Sequence, residues 1–109
     1  MNFISDEQVE SALNYLRDNS AEYGRLRGLV KSLDHHRKIA RGQAFLDSKE
    51  KTASAKTADA ESSDEYVAIV NAINAAETEL ATLQTLMKSA ELKIEVWRSL
   101  NSRRNRGHL

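Results

Sequence analysis

The sequence predicts an all-α protein: an antiparallel hairpin of two long helices with a polar connector, associating into a helical oligomer. Three observations predict it. Proline is absent and glycine occurs only four times in 109 residues, while alanine, leucine, glutamate, lysine and arginine, which favour uninterrupted helix, are plentiful. Two apolar stripes recur at alternating three- and four-residue steps, the signature of an amphipathic helix. Between the stripes lies a small, polar segment with no stripe of its own.

The chain reads as one helical domain over residues 1–109, with helix one at about 6–47, a connector at about 48–62, helix two at about 63–102 and a basic tail at 103–109. Ser5, followed by Asp6, Glu7 and Gln8, forms a capping box whose acids sit where the helix dipole favours negative charge. Helix one should start there. Val9, Leu16, Tyr23, Val30, Arg37 and Ala44 then recur every seven residues, interleaved with Ala12, Leu26, Leu33 and Ala40, a heptad seam that Asn19 and Arg37 make imperfect. Gly24 and Gly28 interrupt the same helix at a cost of about 1 kcal/mol each relative to alanine. Either a kink or the close approach of another backbone accounts for them.

The connector, "DSKEKTASAKTADAESS", contains alanines that could extend either helix, but nothing able to build a core. Helix two opens at Ser63, Asp64 and Glu65. Tyr66, Ile69, Ile73, Ala76, Leu80, Leu83, Met87, Ala90, Ile94 and Trp97 follow on one seam, which serves as core or as oligomer contact. Helices matched in length fold most economically as an antiparallel pair, which lays the basic C-terminal end beside Asp6, Glu7 and Glu10. The apolar surface is nevertheless wider than one seam. Val70, Leu86 and Leu100 flank helix two, and Tyr15 and Leu29 flank helix one, so the chain is expected to associate with copies of itself.

The formal net charge is zero, yet the signs are segregated. Residues 1–16, 17–56, 57–97 and 98–109 carry −3, +5, −6 and +4. Local fields of this kind, rather than net charge, steer polyanions. Within the first basic block, Arg27, Lys31, Lys38 and Arg41 stand at helical intervals off the apolar seam, broken by Asp34, with Arg37 alongside. Such spacing lets successive cations meet successive phosphates; an ordinary solvated helix face has the same appearance. Arg103, Arg104 and Arg106 are further candidates for phosphate contact. Trp97 could stack on a base, but its place on the seam favours packing.

Several chemistries are excluded. Without cysteine there is no thiolate or disulfide. His35 and His36 are adjacent, so on a helix they point about 100° apart and cannot grip one metal together. No glycine-rich phosphate cradle and no serine with histidine and acid partners can be named. A non-enzymatic chain with no cofactor is expected. No basic leader opens the sequence, and no run approaches the roughly 20 apolar residues that span a membrane. The expectation is a soluble, cytoplasmic chain with no membrane partner.

The segments "DEYVAIVNAI" and "LKIEVWRSLNSRR", with a basic first helix before a polar connector, resemble the UvsY-type recombination mediators of bacterial viruses. The likeness extends over the layout of about residues 13–104. It implies an oligomer that binds single-stranded DNA and helps load a recombinase onto strands covered by a single-strand binding protein, inside a bacterial host cell. It also implies that the basic segment before the connector contacts DNA and the helix after it carries assembly. Where that family has a lysine-alanine-arginine-leucine motif followed by an acid and tyrosines, this chain has Ala40, Arg41, Gly42, Gln43, Ala44, Phe45, Leu46 and Asp47, which carries the contact role over to Arg41 and its neighbour Lys38. The competing expectation is a protein-interaction module, an inhibitor or adaptor of a host protein, that presents the acidic face containing Glu77, Glu79, Glu91 and Glu95.

Overall fold

A computed structural model describes residues 3–107, with side chains described through residue 103. Its elements are α1 (Asp6–Asp47), α2 (Ala53–Glu61) and α3 (Asp64–Gly107). The two long helices form a helical hairpin, and no strand occurs among the described residues. No helix among them is long and apolar enough to cross a membrane.

Each helix begins where its capping residue dictates. Ser5 Oγ accepts from the Gln8 amide at 3.2 Å while the Ser5 amide donates to Gln8 Oε1 at 2.8 Å, a reciprocal capping box. Thr52 Oγ1 accepts from the Ala55 amide at 3.1 Å and starts α2. Ser63 Oγ accepts from the Tyr66 amide at 3.4 Å and starts α3.

The chain divides into two compact units. The first comprises residues 1–24 and 81–109. Val9, Ala12, Leu83 and Ala90 are buried there, with Leu16, Tyr23, Met87, Ile94 and Trp97 half-buried around them. Trp97 Nε1 donates to Asp6 Oδ1 at 2.8 Å, and Gln84 Nε2 to the Tyr23 hydroxyl at 3.5 Å. The second unit comprises residues 25–80. Its buried residues are Leu26, Ala40, Ala60, Ile73 and Ala76; Val30, Leu33, Arg37, Tyr66, Ile69 and Leu80 are half-buried.

The seam of helix two therefore serves as the core of the hairpin. Tyr66, Ile69, Ile73, Leu80, Leu83, Met87, Ile94 and Trp97 are all buried or half-buried within a single chain. Among the described residues, five of the nine buried apolar residues are alanines, which lets helix backbones come close but removes little apolar area per position.

Two boundaries differ from expectation. The connector contains α2, whose nine residues are too few to hold a helix alone. Alanine, read as unable to build a core, supplies the contact: Ala60 is 1% exposed, less than any other buried apolar residue. Polar bonds do the rest, with Ser48 Oγ donating to Asp59 Oδ2 at 2.7 Å and Lys56 Nζ to the Ser48 carbonyl at 3.1 Å. Helix two also runs past residue 102 to Gly107, because Arg103, Arg104 and Arg106 are good helix formers and glycine is the first breaker after them.

Candidate nucleic-acid interface

Of the cations singled out in the sequence, the fold gathers three around one concavity. Arg37, Lys38 and Arg41 line a surface cavity of about 670 Å³ in the second unit, together with Gly42, Phe45, Leu46 and Thr57. α1 supplies the cations, with Arg41 about one turn beyond the adjacent Arg37 and Lys38, and α2 contributes Thr57 to the lining. Nothing lies within 4 Å of where a Cβ would stand at Gly42, so the floor is open. Leu46 is 76% exposed and Phe45 half-buried, giving apolar surface beside the charges.

Each cation already has an anionic or polar partner. The Arg37 guanidinium meets Asp34 Oδ1 at 2.9 Å and donates to the Tyr66 hydroxyl at 3.5 Å. The hydrogen bond to Tyr66, then the one to Asp34, raises the Arg37 pKa further. The hydrogen bond from Arg37 holds the Asp34 carboxyl below its ordinary value, with the charges of Arg37 and Lys38 acting in the same sense. Lys38 Nζ lies 3.6 Å from Asp34 Oδ2, and Arg41 Nε donates to Glu61 Oε1 at 3.0 Å. These pairs are exposed or half-exposed, and exposed ion pairs contribute little net stability, so a phosphate can take the place of either carboxylate. Lys56 adds a fourth cation, its Nζ 5.8 Å from the centre of the Phe45 ring, within cation-π range.

The other candidates are not among the residues that line this cavity. Arg27 and Lys31 are exposed farther back along α1 and do not line it. Arg103 is exposed on α3 in the first unit, and the side chains of Arg104 and Arg106 lie outside the described residues. Trp97 sits on the seam, its N–H engaged by Asp6. His36 Nδ1 lies 2.8 Å from the Ser32 carbonyl, and no cluster of His, Cys, Asp or Glu among the described residues could hold a metal.

Sequence reasoning missed Phe45, Thr57 and Lys56 as parts of this site. Phe45 stands one turn beyond Arg41, a spacing that could have flagged it. Thr57 and Lys56 gave no such signal, because their placement depends on α2 folding back beside the end of α1. Neither a protein family, nor a curated protein sequence, nor a solved structure matches this chain. The likeness to UvsY-type mediators therefore rests on the residues quoted for it.

Proposed function

We propose that this chain is a non-enzymatic, oligomeric protein that binds single-stranded DNA through the Arg37, Lys38 and Arg41 cavity, and that it assists recombinase loading in a bacterial host cytoplasm. The observation that carries the reading is the meeting of three cations with an aromatic ring and an open glycine floor in one concavity. A phosphodiester offers anions at the spacing of successive helical turns, and an unstacked base offers a flat face for Phe45; duplex DNA keeps its bases stacked away from such a ring. The resemblance to UvsY-type mediators supports the role in recombinase loading, next to a single-strand binding protein.

Fluorescence anisotropy on a labelled single-stranded oligonucleotide, titrated at several salt concentrations, tests the reading. Three phosphate contacts give a fall in log affinity of about 2 per tenfold rise in salt, at about 0.7 per phosphate. Lys38→Glu with Arg41→Glu should abolish binding, and duplex of the same sequence should bind more weakly than single strand. A salt-independent affinity, or binding untouched by the double charge reversal, sinks it. Full capture of a host protein by that reversed variant would favour the acidic-face adaptor instead.

A further inference from the structure

The seam is consumed inside the hairpin, yet α3 carries a second apolar face in the first unit. Ile4 and residues of α3 line a shallow, open surface depression of about 720 Å³, where Leu92 and Val96 are each 47% exposed. Along the helix the face is graded. Ala81 and Thr85 make its N-terminal half small, and Leu92 and Val96 make its C-terminal half large. That grading identifies the occupant.

From this grading we infer that the face is a two-fold interface in which α3 packs antiparallel against α3 of a second copy, with the axis between Lys88 and Ser89. About that midpoint every lining residue of α3 has a complementary counterpart. Val96 stands opposite Ala81, Leu92 opposite Thr85 and Lys93 opposite Gln84. Each large side chain thus meets a small one, which is how ridges fill grooves between helices. A two-fold axis makes every such contact twice. The charges agree with the register, since Lys88 faces Ser89 and Lys93 faces Gln84, so no like charges are opposed. A parallel pairing would stack Lys88 on Lys88 and Lys93 on Lys93, and would set Leu92 and Val96 against their own copies. Lys88 Nζ also lies 3.9 Å from its own Glu91 Oε2, so its charge has a partner within the chain.

The chain has surface to give. It leaves 8178 Å² accessible, against roughly 6,100 Å² usual for a monomer of 12.2 kDa. The difference, about 2,000 Å² over the whole chain, leaves room for the roughly 800 Å² per partner that an ordinary stable interface covers. This inference rests on the oligomeric part of the proposed function and not on its nucleic-acid part.

Sedimentation of the full chain at tens of micromolar, without nucleic acid, tests it. The expected mass is twice 12.2 kDa. Leu92→Glu with Val96→Glu should halve that mass while leaving the helical circular dichroism unchanged, because both side chains are outside the buried seam. Since the chain has no cysteine, Ser89→Cys introduces a single thiol beside the axis, and mild oxidation should join two copies far faster than in a Glu95→Cys control. A monomeric wild type overturns both the interface and the oligomeric reading. A dimer that survives the double variant, or equal cross-linking from positions 89 and 95, overturns the interface alone and leaves oligomer formation standing.

Discussion

The indole N–H of Trp97 donates to the Asp6 carboxylate at 2.8 Å, tying the last turns of α3 to the first turn of α1 across 91 positions of sequence. Asp6 thus has two roles, since it also lies in the first turn, where the helix dipole favours an acid. Replacing it with alanine removes both and should cost about 1 kcal/mol. Glu7→Ala removes only the dipole contribution and should cost less. Trp97 is the only tryptophan, so its emission reports directly on the latch: Asp6→Ala should alter it and Glu7→Ala should not. Equal effects of the two variants in a thermal melt would show that the hydrogen bond contributes nothing.

How much of this could be read beforehand differs between seam and site. The seam was legible because burial of an apolar stripe repeats every three or four residues, and even its two imperfections hold their places. Asn19 is half-buried and donates to the Tyr15 carbonyl at 2.9 Å, while Arg37 is half-buried against Asp34 and Tyr66. The caps at Ser5 and Ser63 were legible for the same reason, that one local chemistry determines them. α2 was not, because its stability comes from Ala60 and from bonds such as Ser48 to Asp59, neither of which leaves a periodic trace. The site was half legible: its cations stand close together on one helix, whereas Lys56 and Thr57 reach it only through the return of the connector.

Leu26 is 2% exposed, the most deeply buried of the larger side chains described in the second unit. Leu26→Ala deletes buried methyl groups and leaves a cavity, so about 2–3 kcal/mol should be lost in urea unfolding. Leu46→Ala, at a side chain 76% exposed, should change the same midpoint by less than about 0.5 kcal/mol. If the two variants unfold alike, the seam does not hold the hairpin together.

Gly24 and Gly28 lie inside α1, yet an added Cβ at either would meet nothing within 4 Å. Neither accommodates a close approach within the chain, and helix continues through both. Gly24→Ala and Gly28→Ala should each stabilise the fold by about 1 kcal/mol, through helix propensity and a less flexible unfolded chain. For a chain near 100 residues that is a rise in Tm of about 4–8 °C, measurable by circular dichroism. A fall in Tm would mean that another molecule or copy occupies the space above them.

Asp34 and Glu61 occupy the cations that the proposed nucleic-acid site needs, and that competition fixes the sign of a last experiment. Asp34→Asn with Glu61→Gln frees Arg37, Lys38 and Arg41 from their carboxylates, so oligonucleotide affinity should rise by roughly two- to fivefold, the scale expected of exposed pairs. Asp34 also gives the effect a pH signature. Its carboxyl is held below the ordinary value of 3.8, first by the hydrogen bond from Arg37, so its pairing is fully present above that ordinary value and is lost as pH falls through the lower folded one. The affinity gap between wild type and Asp34→Asn should therefore persist at neutral pH and close only in acid below 3.8. Competition titrations at fixed ionic strength across that range would show it; weaker binding by the neutralised variant would mean that these acids position the arginines for the strand instead of competing with it.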